Sequence, residues 1–139
     1  MLDAAGGLLQ NAVRPCTYDG DTPHVTRAGL RRDCNVFLTN PDMLHAAILP
    51  AHGQWKSALS ALRFVVLDEM HVYTGIYGSH VALVLRRLLR LCAHYGANPQ
   101  ILACSATLPR PRAHFELLIP PLLRTGGACS CHYGTPPVA

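Results

Sequence analysis

The chain has 139 residues, 50% of them hydrophobic and 14% charged, with a formal charge of +4 and eight histidines. That composition excludes an intrinsically disordered chain, and the length suits one domain able to bury about 68–70% of its unfolded surface. The mildly basic balance permits a polyanionic partner without requiring one.

Six cysteines are present, at 16, 34, 92, 104, 129 and 131. Most are scattered, and they read as free thiols of a reducing compartment rather than as a disulfide framework. Met1-Leu2-Asp3 lacks a basic start and Gly6-Gly7 interrupts the short apolar stretch, so no secretory leader is expected. No apolar run approaches the roughly 18 residues of a membrane span. An intracellular protein is expected, in nucleus or cytoplasm.

In chain order, residues 1–13 read as a weak helix ended by Arg14-Pro15, and Tyr18-Asp19-Gly20-Asp21 as turn chemistry. Thr22-Pro23 predicts a capped helix over 23–32. Residues 35–39 predict a short buried strand. Asn40-Pro41-Asp42 repeats the helix-start signal, with an acid near the positive dipole end, and Pro50 stops that helix. Residues 54–62 predict another short helix. Arg63 to Leu67 predicts a strand buried on both faces, because its apolar character is uninterrupted. Tyr73 to Gly78 reads as a loop, with Ser79 capping a helix over 80–94. That helix carries an apolar stripe of Val81, Val84, Leu85, Leu88 and Cys92, while Arg86, Arg87 and Arg90 lie off it. Gly96 suits the helix end, and residues 101–104 predict a third buried strand. Strands alternating with helices define an α/β fold with a mainly parallel sheet.

The chemistry centres on strand ends. Asp68-Glu69-Met70-His71 follows the apolar run Phe64-Val65-Val66-Leu67, which places two carboxylates where an open α/β sheet presents catalytic groups. Asp68 can hold Mg²⁺ through water while phosphate oxygens complete the shell, and Glu69 can polarise an attacking water. The alternative is a helix start that complements a dipole. His71 is either a sensor of the site or a satisfied loop histidine. A transition-metal site on Asp68, Glu69 and His71 lacks the usual spacing. Ser105, Ala106 and Thr107 place hydroxyls at the end of the next strand, where a cap or turn is the simpler role. Thr39, Asn40 and Pro41 can present backbone N–H groups to a phosphate, or simply cap a helix. The three arginines can track a nucleic-acid backbone or form a solvated face. Cys129-x-Cys131-His132 offers three zinc ligands and no fourth nearby. Nowhere does the chain read G-x-x-x-x-G-K-[ST], the phosphate-cradling loop.

Taken in order, these motifs resemble superfamily 2 DEAD/DEAH-box helicases. They are Tyr18 to Pro23, Leu38 to His45, Val65 to His71, Gly78 to Ala82 and Ser105 to Thr107. Ile48 to His52, Trp55 and Leu85 to Leu88 make the RecQ-related DNA-repair branch the narrower resemblance. The resemblance implies an incomplete RecA-like (P-loop NTPase) domain over 18–109, lacking the Walker A strand. The segments 1–17 and 110–139 diverge from the family, and the turn-rich tail over 110–139 is expected to be poorly ordered. The resemblance assigns Asp68 to the Mg²⁺ shell, Glu69 to water activation and His71 to relaying nucleotide state. Ser105, Ala106 and Thr107 would couple ATP hydrolysis to strand movement, and Thr39, Asn40 and Pro41 would grip single-stranded or forked DNA. Without a Walker A loop or second motor domain, the chain is expected not to hydrolyse ATP unaided. It would act with the remainder of a helicase, or as a non-catalytic module binding nucleic acid or a partner. Losing the Walker strand should also leave residues 101–104 with an exposed apolar edge.

Overall fold

The computed structural model describes residues 13–106 and 108–119. The expected helix over 1–13, residue Thr107 and the Cys129-x-Cys131-His132 cluster lie wholly or almost wholly outside the described residues. The chain divides into two compact units after Ala61. Among the described residues no helix is long and apolar enough to cross a membrane.

In the first unit, β1 (Pro15–Thr17) pairs in parallel with β2 (Val36–Leu38), with Cys16 opposite Phe37. Helix α1 (His24–Asp33) connects them. β1 was not predicted. Three residues are too few to show alternation, and its proline stands at the first strand position, where no ladder donor is lost. Asn35 N donates to Arg14 O at 3.0 Å and Tyr18 N to Leu38 O at 2.8 Å, which locks both ends of the pair.

The turn between β1 and α1 is built on Asp19. Its Oδ1 accepts from Asp21 N, Thr22 N and Thr22 Oγ1 at 3.1, 3.0 and 2.9 Å. The Thr22 hydroxyl therefore belongs to the turn and does not cap the helix. Pro23 occupies the N-cap position, and α1 starts at His24. Beneath it Trp55 is buried, meeting Tyr18 and Phe37 edge-on at centroid distances of 4.8 and 5.2 Å. Such pairs add about 0.5–1.5 kcal/mol each beyond area burial.

Asn40 does cap: Met43 N donates to its Oδ1 at 2.7 Å, with Pro41 in the first turn of α2 (Pro41–Met43). The predicted regular helix then widens into a π turn over Leu44–Ile48, with Leu49 N reaching Leu44 O at 2.9 Å. A 3₁₀ turn over His52–Trp55 leads into α3 (Lys56–Ser60).

In the second unit, β3 (Phe64–Leu67) pairs in parallel with β4 (Gln100–Ala103), Leu67 lying opposite Ala103. Their connection is α4 (Gly75–His94). All five predicted stripe residues of α4 are buried. The helix starts at Gly75, inside the segment read as a loop, and Ser79 does not cap it: the Ser79 hydroxyl donates back to Gly75 O at 3.0 Å. Thr74 supplies the extended N-cap backbone. Gly78 explains why glycine stands in a helix. A Cβ there would lie 2.6 Å from the carbonyl carbon of Tyr73 and closer still to its oxygen. At the far end Gly96 has φ +83°, Gly96 N donates to Ala93 O and Ala97 N to Cys92 O, the paired bonds of a Schellman ending.

Leu67, Met70, Val81, Ala82, Leu85 and Leu89 form the core with Phe115, Leu118 and Ile119, and Val65 and Ile101 pack against it. The last three buried residues belong to or end α5 (Pro111–Leu118), a helix inside the segment expected to be poorly ordered. Their i, i+3, i+4 spacing is a helical stripe.

The expected burial of the strands is corrected: in β2, Val36 and Leu38 are 41% and 59% exposed. β3 is not buried on both faces: Phe64 and Val66 are 54% and 60% exposed, and Leu102 of β4 is 40% exposed. Alternation within β3 sends Val65 and Leu67 to the core and their neighbours outward. Among the described residues of this unit, the helices that join the core cover only the face of Val65, Leu67 and Ile101. β4 pairs with β3 alone, so its outer edge carries no strand among the described residues.

Candidate functional site

The two strand ends of the second unit stay zipped beyond the sheet. Cys104 N donates to Leu67 O at 2.9 Å, and Met70 N donates to Cys104 O at 2.9 Å. Between these bonds the chain turns sharply at Glu69, whose φ is +49°. It is the single non-glycine residue with positive φ among the described residues. That conformation costs an L-residue about 1–2 kcal/mol. It reverses the chain into a 3₁₀ turn, Met70–Val72, whose Met70 is buried in the core. A buried anchor under a strained residue fixes where the Asp68 and Glu69 side chains project.

Both carboxylates are exposed. Asp68 Oδ1 accepts from Glu69 N at 2.9 Å and from the Cys104 thiol at 3.3 Å. Hydrogen bonding to Asp68 is the main cause that pushes the Cys104 thiol above its usual range, with desolvation and the charges of Asp68 and Glu69 adding to it. Glu69 Oε2 lies 3.1 Å from His71 Nδ1. The same nitrogen is 3.4 Å from Ala106 N, which donates to it. Nδ1 cannot accept from Ala106 while it carries the proton that would bind Glu69. His71 therefore touches both the acid pair and the Ser105-Ala106 segment, through one atom.

The acid pair, His71, Ser105 and Ala106 thus come together at one rim of parallel strands. Thr39, Asn40 and Pro41 belong to the other unit, at the carboxyl end of β2. Thr39 and Asn40 are exposed there, and the Asn40 side chain is committed to its cap. Arg86 and Arg87 are half-buried and Arg90 is exposed. The Nε of Arg86 is buried without a hydrogen-bond partner among the described residues.

Sequence reasoning missed two residues at the rim. Cys104 was read only as a core strand residue, yet its thiol reaches Asp68. His114, on α5, has Nε2 3.1 Å from Met70 O and so braces the 3₁₀ turn. The signal for Cys104 was its place directly before Ser105; His114 had none, since α5 itself was not assigned.

No cluster of three or more His, Cys, Asp or Glu among the described residues could hold a metal ion. One exposed carboxylate with a free oxygen does suit Mg²⁺, which keeps several waters and takes its other oxygens from substrate phosphates. The donor set fits that ion through Asp68 and water, whereas nothing in the sequence matches a phosphate-cradling loop.

Comparison with known proteins converges on one family. The pattern of DEAD/DEAH box helicases matches residues 2–115. The chain is 52% identical over 110 residues to the ATP-dependent helicase HRQ1 of Saccharomyces cerevisiae, covering 78% of this chain and 10% of that protein. It is 47% identical over 106 residues to the ATP-dependent helicase YprA of Bacillus subtilis, covering 76% and 14%. Among solved structures, the DUF1998 helicase MrfA bound to DNA superposes with a TM-score of 0.75 at 40% identity. That match covers 83% of this chain and 17% of MrfA. The helicase Lhr of Mycobacterium smegmatis bound to ssDNA and AMP-PNP gives 0.62 at 28% identity, covering 75% and 13%. The chain thus spans about a tenth to a sixth of the length of the relatives it matches. With its α/β architecture and parallel strand pairs, it belongs to the DEAD/DEAH box helicase family.

Proposed function

We propose that this chain supplies the hydrolytic and coupling rim of an ATP-dependent DNA helicase motor of the RecQ-related DNA-repair branch, acting inside the cell. One observation carries the reading: Asp68, Glu69, His71 and Ala106 meet where β3 and β4 end. Asp68 would hold Mg²⁺ through water; the ion, when bound, neutralises phosphate charge. Glu69, held outward by its left-handed backbone, would take the proton of the attacking water. His71 would carry the state of the acid pair to Ser105, Ala106 and Thr107. Thr39, Asn40 and Pro41 would grip a single strand, or the single-stranded arm of a fork, by its backbone, which carries no sequence information. Polarity would be 3′-to-5′.

The sequence has no phosphate-cradling loop, and this favours nucleic-acid binding without ATP turnover by the chain alone. The test is a chimera in which residues 18–109 replace the matching segment of the Bacillus subtilis relative. DNA-stimulated ATP turnover should survive the exchange, and Glu69→Gln in the chimera should abolish it while leaving DNA binding intact. A folded chimera that stays active after the Glu69→Gln substitution would overturn the assignment.

A further inference from the structure

The first unit carries a groove of about 290 Å³ between α1 and the segment that follows α2, lined among others by Tyr18, His24, Arg27, Arg31, Gln54 and Trp55. His24, Arg27 and Arg31 stand at i, i+3 and i+7, on one face of α1. Both guanidiniums are held in place, and every partner that holds them is neutral. Arg27 Nε donates to Thr22 O at 3.0 Å and Nη2 to Asp19 O at 3.2 Å. Arg31 Nη1 donates to the Tyr18 hydroxyl at 3.3 Å. Arg27 lies 5.4 Å from the Tyr18 ring centroid, and Arg31 lies 5.8 Å from that of Trp55.

Among the described residues no carboxylate is paired with either guanidinium. Three carboxylates are engaged elsewhere, in the pairs Arg32–Asp33, His71–Glu69 and Arg112–Glu116. Of the acids close in sequence, Asp19 turns its carboxylate into its own loop, Asp33 pairs with Arg32, and Asp21 does not line the groove. No Asp or Glu lines the groove. Each guanidinium has five N–H donors, so several remain for an anion. Two immobilised, unneutralised guanidiniums a helical turn apart favour an anion with several oxygens, and their ordering cost is already met by the fold.

Tyr18 and Trp55 are 3% and 4% exposed. Neither ring offers a face for a base to stack on, so the groove suits a backbone phosphate rather than a base. Its position agrees: Tyr18, in the groove wall, donates its N–H to Leu38 O, one residue before Thr39. The groove therefore continues from the strand end that carries Thr39, Asn40 and Pro41.

We propose that His24, Arg27 and Arg31 form a second phosphodiester seat for single-stranded nucleic acid, extending the contact made at Thr39 to Pro41. This rests on the nucleic-acid reading above and names residues that reading does not contain.

Trp55 is the sole tryptophan of the chain, and Arg31 sits over it, so its emission reports on the groove. The full chain is titrated with oligo-dT at low salt, following Trp55 emission and, separately, anisotropy of a dye on the DNA. Oligo-dT should shift the Trp55 emission. Gln54→Glu adds a carboxylate that competes for the arginines without removing any of their anchors. Arg31→Gln removes one charge. Each should weaken binding several-fold and lower the salt slope by about 0.7, the value for one phosphate contact on a single strand. Arg31→Lys should restore the slope. Unchanged thermal unfolding shows that each variant is folded. Full-strength binding by both variants, with Trp55 silent, overturns the seat and leaves the nucleic-acid reading standing. An equal Trp55 response to poly-glutamate overturns the phosphodiester assignment. Absence of any DNA binding by the unaltered chain overturns both readings.

Discussion

Replacing Gly78 by alanine tests whether the start of α4 is fixed by a backbone contact rather than by helix propensity. On propensity alone the change should help, because alanine is favoured over glycine by about 0.8–1.0 kcal/mol in a helix interior. The structure opposes it. The added methyl would stand 2.6 Å from Tyr73 C and nearer to Tyr73 O, and both are main-chain atoms that cannot rotate aside. Forcing a methyl into a filled site costs roughly 1–3 kcal/mol. The backbone contact puts this case toward the upper end, so the net effect is a loss of about 1–2 kcal/mol. Tyr73 directly follows the 3₁₀ turn that bears His71, so relief of the clash should also move that turn. Urea unfolding with an unchanged slope measures the loss. Gly53→Ala, where a Cβ meets nothing within 4 Å, is the control. A Gly78→Ala chain as stable as the parent, or more so, would show that the contact is not a constraint.

Asn40→Ala removes the acceptor for Met43 N and should cost about 1 kcal/mol, read by the same denaturation. Leu85→Ala, in the core under β3, should cost about 2–5 kcal/mol. A loss below about 1 kcal/mol would mean that the core repacks around it. The thiols predict a pH dependence. Burial pushes Cys92 from 9.0 up to about 11. Burial and then the hydrogen bond to Cys34 push Cys16 to about 12. Both groups are raised in the folded state, so the unfolded chain loses its protons first. Stability should hold below about pH 9 and fall as pH rises toward 11–12. Cys92→Ala should flatten the decline between about pH 9 and 11 in a series of urea midpoints, leaving the part nearer 12 to Cys16.

The acid rim was legible because an apolar strand followed by two carboxylates is a local signal, and parallel pairing then fixes which end of the sheet holds it. The Asn40 cap and the α4 stripe were legible for the same reason: each lies within one element. What escaped was set by tertiary packing. The hydroxyl of Thr22 has two local uses, capping a helix or closing the Asp19 turn, and only the fold decides between them. Gly75 and Gly78 read as loop residues, whereas Gly78 is small because Tyr73 leaves no room. β1 is too short for any pattern to show. The apolar run of β3 promised cover on both faces, but sequence cannot say which elements supply it. Pro120-Pro121 interrupts the pattern directly after Phe115, Leu118 and Ile119, which leaves their helical stripe too short to stand out.

One imidazole nitrogen with two claimants makes the neighbours rivals. When Nδ1 of His71 holds a hydrogen, the ring belongs to Glu69 and the amide of Ala106 is released. When Nδ1 is bare, it can accept from Ala106 N and has no hydrogen to offer Glu69. A single proton hop can thus reassign which side of the rim the ring serves, with no movement of either β-strand.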